Sequence, residues 1–423
     1  MKNDFLKYIK SRGYLHQCTN DKVLDEKLNH SKVGYIGFDC TSDCLHVGSL
    51  LPLMLLRSFQ KFGHTPIILL GGGTTLVGDP SGKDETRKIL SEDDINNNKK
   101  KLKKIFERFL SFTSSNKAKI VDNYEWLINL NYISFLREIG SKFSVNKMLS
   151  LESIKQRLGR EQNLSFLEFN YSLLQAYDFL ELQKRYNCEI QFGGSDQWGN
   201  IVSGIDLVRK LTQKEVFGVT TPLVTTSNGK KMGKTEDGAI WLSEEKLDVN
   251  QFWQFWRNTS DKDVINFLYL FTEIEGQQIE KFKKLEGSEL NDVKILLANE
   301  VTKLCHNDEK SKKAEKEAES ILTAESFDVQ TLKDSKNKIT YNITQIENGL
   351  SLKQSLLELK FCKSNGEAKR LIDQGAVKIN KEVVKDKDFI FTKKNFLEGS
   401  DKGVLYVIIY VGKKKFGVVE LIT

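Results

Sequence analysis

The sequence lacks an apolar run of the roughly 20 residues that a membrane-spanning helix requires, so a membrane protein is not expected. Its first residues, MKNDFLKYIKSRGYLHQ, carry early acids and no long apolar core, so they match a secretory signal peptide poorly and none is expected. Cysteine is scarce, and the six cysteines among 423 residues are scattered, a pattern typical of reduced thiols in a cytoplasm and not of a disulfide framework. Proline is rarer still, with four residues, which together with abundant lysine, asparagine and isoleucine hints at an AT-rich genome.

Positive charge is in slight excess and is concentrated near the C-terminus. The net charge is +7, and residues 351–423 hold 15 lysine or arginine residues against 9 aspartate or glutamate residues, which accounts for +6 of it. A small basic domain on a near-neutral body is typical of a protein that binds a polyanion, most often nucleic acid. A lysine-rich solvated surface is the alternative, and composition alone leaves it open.

The hydrophobic pattern along the chain predicts an α/β fold in several domains. Buried strands are predicted at 33–38 and 65–73, with a helix ending at Gly63 between them, and this βαβ unit implies a parallel sheet. The predicted domains are an α/β domain with a helical insertion (1–245), an α-helical domain (246–327), a polar linker (328–349) and a small α+β domain (350–423).

Two short stretches resemble ligand sites but do not fit their patterns. Cys40, Cys44 and His46 offer three soft metal ligands, yet no fourth lies nearby, and a structural zinc site normally has four. The stretch GGGTTLVGDPSGKDE is rich in glycine, but its Gly-Lys pair is followed by Asp84, where a P-loop requires serine or threonine. No tightly bound metal is therefore expected.

The stretch HVGS remains as a candidate phosphate site at a helix N-terminus. The first N–H groups of a helix favour an anion, Gly48 allows close approach of a ligand, and His46 adds a donor. Taken alone, a single His-x-Gly pattern is more typical of an ordinary buried or capping histidine. A second stretch, GKKMGKT at 229–235, places three lysines and a threonine in a glycine-flanked loop between strand-like stretches. Such a loop can fold over phosphates and supply cations as charge develops.

Taken together, these stretches resemble class I aminoacyl-tRNA synthetases, in which HVGS is followed about 185 residues later by KMGKT. Within that class the ordered set YIGFDCTSDCLHVGS, GDPSGKDETR, NYSLLQAYDFL, QFGGSDQWGN and KKMGKT resembles the bacterial-type tyrosyl-tRNA synthetases over essentially the whole chain. The basic tail resembles an S4-type RNA-binding domain. The resemblance implies a Rossmann-like parallel-sheet catalytic domain with a helical insertion, then an α-helical domain and a small α+β S4-like domain.

The resemblance also implies a reaction and its partners. Tyrosine would be activated with ATP, accompanied by Mg²⁺, to tyrosyl-adenylate and pyrophosphate, and the tyrosyl group would pass to the 3′ end of tRNA(Tyr). Carboxylate attack on phosphate requires alignment and dispersal of negative charge more than acid–base help. Members of the family are homodimers, and the helical stretch 126–140 could hold the dimer surface. The expected location is the cytoplasm, without a membrane partner.

By resemblance, three sets of residues serve the first half-reaction. The catalytic contacts to the phosphates and to the departing pyrophosphate are Thr41, His46, Lys83, Arg87, Lys231, Lys234 and Thr235. The ATP-binding residues are Gly37, Asp39, His46, Gly48, Ser49, Gly194, Asp196 and Lys234. The tyrosine-binding residues are Tyr35, Asp79, Tyr171, Gln175, Asp178 and Gln197. Tyr171, Gln175 and Asp178 are spaced four and three apart, so a helix would present them on one face.

In the tail, the RNA-binding residues implied by the resemblance are Lys363, Lys369, Arg370, Lys378 and Lys381. The chain departs from the family pattern at Ser49, where many relatives have a second histidine, at Cys40, where proline is frequent, and in GGGTT. Two alternatives stay open: a tryptophanyl-tRNA synthetase, and an S4-type RNA-binding protein whose α/β domain binds nucleotide without turnover. The Tyr35–Asp178 pair argues against the first, and His46 with the loop lysines argues against the second.

Overall fold

The computed structural model describes residues 4–79, 90–161, 163–229, 232–235, 238–323, 337–380, 382–398, 404–412 and 415–422, and at 234, 235, 320–323, 398 and 415 it describes the backbone alone. The chain divides into two compact units, Met1–Glu315 and Lys316–Thr423. Within the described ranges, no helix is both long enough and apolar enough to cross a membrane.

A parallel sheet forms the centre of the first unit. Its strands are β1 Gln17–Cys18, β2 Val33–Asp39, β3 Thr65–Gly71, β4 Lys119–Asp122, β5 Ile190–Gly194 and β6 Phe217–Thr221. They lie in the order β1-β6-β5-β2-β3-β4, all parallel except β1, which pairs antiparallel with β6. The predicted α/β fold is therefore confirmed. Because β3 and β5 lie on opposite sides of β2, the strand order reverses there, and such a reversal leaves a crevice beyond the carboxyl ends of the strands.

Helices cover this sheet and form much of the remaining described part of the first unit. Pro52 lies in the first turn of the helix that follows β2, where its missing N–H costs little, and Gly63, with a positive φ of 88°, follows its end. The helices are α1 Phe5–Ser11, α2 Asp21–Lys27, α3 Leu50–Lys61, α4 Glu92–Phe109, α5 Tyr124–Leu127, α6 Tyr132–Glu138, α7 Val145–Leu149, α8 Glu152–Gly159, α9 Phe166–Phe169, α10 Tyr171–Tyr186, α11 Trp198–Thr212, α12 Val249–Arg257, α13 Val264–Phe271, α14 Gly276–Phe282, α15 Leu290–Cys305 and α16 Asp308–Thr323, of which α16 ends in the second unit.

The helices from α12 to α15 pack around an aromatic core. Trp256 is fully buried and contacts Phe271 edge to face, with ring centroids 5.1 Å apart. Two contacts tie these helices to the sheet region within the same compact unit: Arg57 pairs with Glu273 at 2.6 Å, and Arg108 donates to the carbonyl of Cys305 at 2.6 Å. The division at residue 245 that the sequence predicted stays a prediction, because both sides lie in one compact unit.

The described residues of the second unit form a mixed sheet with three short helices, in addition to the end of α16. Its strands are β9 Lys338–Asn342, β10 Val377–Ile379, β11 Glu382–Val383, β12 Leu397–Glu398, β13 Val404–Val411 and β14 Lys415–Ile422, numbered after the hairpin strands β7 Lys234–Thr235 and β8 Gly238–Ala239 of the first unit. The order is β11-β10-β13-β14-β9, with β12 on β13. The helices are α17 Ile343–Glu347, α18 Leu352–Glu358 and α19 Asn365–Asp373.

The predicted linker at 328–349 is too long at its C-terminal end. Residues 328–336 of the predicted linker lie outside the described part of the chain. Beyond them, β9 pairs in parallel with β14, and α17 follows β9 directly. Buried Tyr341 and Ile346 join these elements to the hydrophobic core of the unit. An Asn342–Gln345 capping box begins α17. The polar composition of this segment concealed its structure because only alternate side chains enter the core.

Candidate active site

The crevice beside β2 is open at its centre and closed at one end. Tyr35, Gly37 and Asp39 occupy every second position along β2 and therefore share one face of the sheet. Gly37 is exposed, and a Cβ built on it meets no atom of the described chain within 4 Å. The crevice therefore has room for a ligand above Gly37, between a buried end at Tyr35 and a polar end at Asp39.

Tyr35 and Asp178 form the buried end. Their side chains are 1% and 2% exposed. The Asp178 carboxylate accepts hydrogen bonds from Asn123 Nδ2 at 2.9 Å and from Trp126 Nε1 at 2.8 Å. Burial raises the pKa of Asp178 to about 8, although these two donors oppose the shift. A buried carboxyl group with a strongly shifted pKa is typical of a functional site.

The hydroxyl of Tyr35 lacks a partner at this end. Its Oη is buried and has no hydrogen-bond partner among the described residues. Burial raises the pKa of Tyr35 well above its usual value, and the nearby Asp178 carboxyl adds a smaller effect in the same direction. The phenol therefore stays neutral. A buried polar group without a partner costs about 1–3 kcal/mol. A ligand with a polar group at this point would remove that cost.

A second polar atom without a partner in the described chain, Gln175 Oε1, lies on α10 about one helical turn before Asp178. The residues Tyr171, Gln175 and Asp178 lie on α10, and their spacing places them on one face of that helix, as the sequence predicted. The Oε1 atom of Gln175 is buried and finds no donor in the described part of the chain. Tyr171 donates through Oη to Asp39 Oδ2 at 3.1 Å. Burial, with the neighbouring carboxylates, raises the pKa of Tyr171 well above its usual value.

A hydrogen-bonded chain runs between the two ends of the crevice. Thr74 Oγ1 donates to Asp39 Oδ1 at 2.9 Å, and Asn123 Nδ2 donates to Thr74 Oγ1 at 3.0 Å as well as to Asp178. The chain Tyr171–Asp39–Thr74–Asn123–Asp178 is thus continuous, and such networks fix side chains more firmly than isolated pairs do. We call it the crevice network.

Sequence reasoning missed Asn123, Trp126 and Thr74. Asn123 and Trp126 follow β4 in the stretch DNYEW, and polar residues just beyond the carboxyl end of a parallel strand are a recognisable signal of a site. Trp126 had been included in the possible dimer surface at 126–140. It is instead buried, and its indole N–H is bonded to Asp178.

Neighbouring carboxylates leave no room for a side chain at two glycines of GGGTT, Gly71 and Gly72. A Cβ at Gly71 would lie 2.3 Å from Asp39 Oδ1, and a Cβ at Gly72 would lie 2.2 Å from Asp122 Oδ1. Both distances are far below van der Waals contact, so any side chain at either position would displace a carboxylate. Although this stretch departs from the family pattern, it retains Gly71 and Gly72, the two positions at which a side chain would displace a carboxylate.

Asp79 and Gln197 meet at another side of the crevice. Gln197 Nε2 donates to Asp79 Oδ2 at 3.0 Å, and Gln197 Oε1 accepts from Asn200 Nδ2 at 3.2 Å. Gln197 follows β5 in a short 3-10 turn that leads into α11. In the same turn, the exposed Asp196 folds back over Gly194, where an added Cβ would lie 2.6 Å from Asp196 Oδ1.

His46 begins the 3-10 turn that precedes α3. Its Nδ1 accepts a hydrogen bond from Gly48 N at 3.0 Å, so the histidine caps this turn. The capping alternative is therefore correct, and it leaves a role toward a ligand open because only Nδ1 makes this bond. Ser49 is partly buried in the same turn, and Thr41 is exposed in the bend beyond β2.

The two signature stretches meet in the structure. A Cβ at Gly233 would lie 2.7 Å from His46 Nδ1, and a Cβ at Gly48 would lie 3.1 Å from the carbonyl of Met232. Backbone bonds join the same two segments: the N–H of Val47 donates to Ile240 O at 2.9 Å. Residues about 185 positions apart in the chain thus form one edge of the crevice.

Several predicted residues cannot be placed. Lys83, Arg87, Lys231 and Lys381 lie outside the described residues. Lys234 and Thr235 form β7, which pairs antiparallel with β8, and their backbone alone is described. Over the described ranges, no three His, Cys, Asp or Glu side chains are grouped so that they could hold a metal ion. Burial, with Asp39 nearby, raises the pKa of Cys40 to about 12, which keeps it a neutral thiol.

Comparison with known proteins agrees with this geometry. Residues 27–323 match the family described as tRNA synthetases class I (W and Y), and residues 332–419 match the Tyrosine--tRNA ligase SYY-like C-terminal domain. A tyrosine--tRNA ligase of Pelagibacter ubique is 47% identical over 99% of this chain and 100% of its own length. One of Wolbachia pipientis from Culex pipiens is 48% identical over 98% of this chain and 97% of its own.

Solved structures show the same fold. The C-terminally truncated mitochondrial tyrosyl-tRNA synthetase of Aspergillus nidulans matches with a TM-score of 0.67 and 27% identity, covering 75% of this chain and 94% of its own. A tryptophanyl-tRNA synthetase of Encephalitozoon cuniculi matches in fold alone, at 14% identity, 74% and 91% coverage, and a TM-score of 0.54. Fold therefore does not separate the two specificities, whereas sequence identity over nearly the full length does. The chain belongs to the class I tyrosyl-tRNA synthetases, which use ATP to join tyrosine to tRNA.

Proposed function

We propose that the buried end of the crevice holds the phenol of the tyrosine substrate. The observation that carries this proposal is the Tyr35 hydroxyl without a partner beside the Asp178 carboxyl. The substrate phenol would donate to Asp178 and accept from Tyr35, so both buried groups would be satisfied. Phenylalanine would leave them unsatisfied, and tyrosyl-tRNA synthetases are themselves a standard example of discrimination by this means.

The rest of the tyrosine site follows from the polar groups that line the crevice. Asp79, Tyr171 and Gln175 would surround the substrate ammonium group, and the Gln175 oxygen without a partner supports this placement. Gln197 would contact the carboxylate and the α-phosphate. A cation bound beside the Asp79 carboxylate and the Gln175 amide oxygen would also offset the repulsion between the acidic groups of this region.

ATP would lie across the open centre of the crevice and the edge where the two signature stretches meet. Gly37, Gly48 and Gly194 would allow close approach of the nucleotide, with Asp39, Ser49 and Asp196 as polar contacts. Thr41 and His46 would contact the outer phosphates. Mg²⁺ would enter as MgATP, since this ion is commonly held by substrate phosphates with few protein ligands.

The first step would be attack of the tyrosine carboxylate on the α-phosphate, with pyrophosphate leaving. This chain would align the two substrates and disperse the charge of the departing group. The cationic contacts would come from Lys83, Arg87, Lys231 and Lys234, with Thr235 as a donor. The tyrosyl group would then pass to the terminal ribose of tRNA(Tyr).

The test of this function is exchange of labelled pyrophosphate into ATP, with each of the twenty amino acids in turn and without tRNA. We expect exchange with tyrosine alone. Exchange with tryptophan would contradict the pocket assignment, because that substrate carries no phenol. A folded chain that exchanges with no amino acid would contradict catalysis in the crevice and favour a non-catalytic RNA-binding protein.

We propose that the second unit binds the tRNA through its basic surface. Lys363, Lys369, Arg370 and Lys378 are exposed on or beside α19 and β10. Lys381 belongs to the same hairpin in sequence. Such a surface binds RNA mainly through backbone charge and shape.

A chain that ends at Thr323 is expected to keep tyrosine-dependent pyrophosphate exchange within about threefold. We expect it to lose tyrosyl-tRNA formation by about 10²-fold or more at moderate salt, because several phosphate contacts are lost together. The two rates are measured on the same preparation. In the full chain, the double change Lys369→Ala and Arg370→Ala should weaken charging in part. Lys387→Ala removes a lysine that pairs with Asp373 at 2.8 Å and serves as the control. Loss of exchange in the shortened chain would contradict the separation of the two activities.

We propose that the chain forms a homodimer through a surface between residues 128 and 167. Nine of the fifteen exposed large hydrophobic side chains among the described residues fall in this range, including Ile133, at 70% exposed, and Phe166. Such a concentration of apolar side chains marks an interaction surface. Sedimentation equilibrium should give about twice the chain mass of 48.5 kDa, and a monomer at micromolar concentration would contradict the proposal.

All six cysteines are free of disulfide bonds, which fits the reducing cytoplasm where we place the protein.

A further inference from the structure

The loop that carries GKKMGKT is attached to the beginning of α13. The N–H of Ser227 donates to both oxygens of the Asp263 carboxylate, at 2.9 and 3.1 Å, and its Oγ donates to Asp263 Oδ2 at 2.9 Å. Ser260 Oγ donates to the same Oδ2 at 2.9 Å. The carboxylate is 8% exposed, whereas Ser227 lies on the surface. Asp263 is thus a buried side chain whose hydrogen-bond donors come from the loop and from one serine of its own turn.

Asp263 is more than a helix cap. It is the residue before α13, but its carboxylate makes no capping bond to that helix within the described chain. Apart from the bond from Ser260, it accepts hydrogen bonds from Ser227, 36 positions earlier. Bonds between an ionised group and backbone N–H donors are roughly twice as strong as neutral ones. The carboxylate is therefore placed to hold the loop and not to begin the helix.

The held position is transmitted along the loop to the signature stretch. The N–H of Gly229 donates to Thr226 O at 2.8 Å, which closes a turn beside Ser227. The N–H of Met232 then donates to Val224 O at 2.8 Å, and the Met232 side chain is buried. These two bonds connect the chain on either side of Ser227 to the turn and to Met232, the residue before Gly233.

The helix that follows Asp263 packs against the helix that follows the other signature stretch. α13 packs against α3, which begins directly after HVGS. At the other end of α13, Arg12 donates to Leu268 O at 3.1 Å and to Ile274 O at 2.6 Å. Glu273 pairs with Arg57 of α3 at 2.6 Å. Asp263 is therefore held at a set position relative to α3 and His46.

We propose that Asp263 is a positioning residue that sets the GKKMGKT loop against the phosphate end of the crevice through Ser227. It acts without touching a substrate. The inference rests on the proposed role of this loop in stabilising pyrophosphate. A misplacement of about 1 Å at a catalytic group can cost up to 10²-fold in rate, so release of this contact should lower the rate of adenylate formation without weakening tyrosine binding.

The test compares Asp263→Asn, Ser227→Ala and the double variant by steady-state pyrophosphate exchange and by tyrosine binding without ATP. We expect kcat for exchange to fall about tenfold in Asp263→Asn and severalfold in Ser227→Ala, with the tyrosine Kd unchanged within about twofold. Because the two residues act through one contact, the double variant should be no slower than Asp263→Asn. Ser227→Thr, which keeps the hydroxyl and the N–H, should restore most of the rate.

The matched control is Asp261→Asn. Asp261 lies two positions before Asp263, is largely exposed and pairs with Lys294, so this change removes a neighbouring charge without releasing the loop. Three results would overturn the proposal: an unchanged exchange rate in a folded Asp263→Asn variant, an equal loss of tyrosine affinity, or additive effects in the double variant. If Asp263→Asn does not fold, an unchanged rate in Ser227→Ala has the same meaning.

Lys234→Ala, assayed beside these variants, separates the two levels of the argument. If Lys234→Ala lowers the rate and Asp263→Asn does not, the loop acts as proposed and the positioning role is wrong. If neither change lowers the rate, the proposed role of the loop is itself wrong, and the positioning role fails with it.

Discussion

Replacement of Asp178 by alanine is expected to lower kcat/KM for tyrosine by about 10²- to 10³-fold. Each buried donor that loses its acceptor costs about 1–3 kcal/mol, and each 1.4 kcal/mol corresponds to a factor of ten. The change removes the acceptor for the substrate phenol and also the acceptor for the indole N–H of Trp126. Binding of ATP should change far less, because the nucleotide would lie at the other end of the crevice.

The measurement is pyrophosphate exchange at varied tyrosine and at varied ATP, together with tyrosine binding at equilibrium. Glu181→Ala is the matched control, since it removes a carboxylate one turn further along α10 that pairs with Arg185 at 2.8 Å and not with the pocket. Equal losses of tyrosine and ATP affinity in Asp178→Ala would contradict the phenol role. A second variant, Asp178→Asn, preserves the volume and should still bind tyrosine poorly, because an amide presents only one acceptor oxygen.

Replacement of Lys234 by alanine is expected to slow adenylate formation by about 10²- to 10³-fold, the usual effect of removing a group that stabilises charge in a transition state. The preceding Gly233 contacts His46, so the lysine begins its strand at the phosphate edge of the crevice. The charge on pyrophosphate increases as the bond to the α-phosphate breaks. A cation placed there would therefore act on the rate and not on the affinity for tyrosine.

Single-turnover formation of tyrosyl-adenylate is the direct measurement, with tyrosine binding measured separately. Lys210→Ala, on the surface of α11, removes an equal charge far from the edge and should leave the rate unchanged; its amino group donates to Lys142 O at 2.8 Å. A large loss of tyrosine affinity in Lys234→Ala would contradict the pyrophosphate role. An unchanged single-turnover rate would place the required cation elsewhere in the chain.

The fold was largely predictable because its signals are local. The runs at 33–38 and 65–73 are apolar enough to be buried on both faces, and the helix between them ends at a glycine, which together imply parallel strands. The α10 face was predictable for the same reason, since spacings of four and three are a property of the helix. The segment at 338–347 was mistaken for a linker because its buried residues are separated by polar ones.

The site residues that belong to a sequence motif were predictable. The residues that hold them in place by hydrogen bonds were not. Asn123 hydrogen-bonds with Asp178, 55 positions later in the chain, and no pattern in the sequence announces that pairing. The contact between His46 and Gly233 is likewise a product of the tertiary fold. Asp263 had no motif at all, and its relation to Ser227 became visible only from the direction of its hydrogen bonds.

The crevice network has a consequence for how the two substrates influence each other. Asp39, proposed to face the nucleotide, is bonded to Tyr171, proposed to face the amino acid, and through Thr74 and Asn123 it reaches Asp178. Either substrate would therefore be coupled to a set of bonds that extends to the site of the other. Such coupling is reciprocal, so the factor by which tyrosine changes the affinity for ATP equals the factor by which ATP changes the affinity for tyrosine. Any coupling between the two proposed sites along this network would pass through Thr74, which joins Asp39 to Asn123.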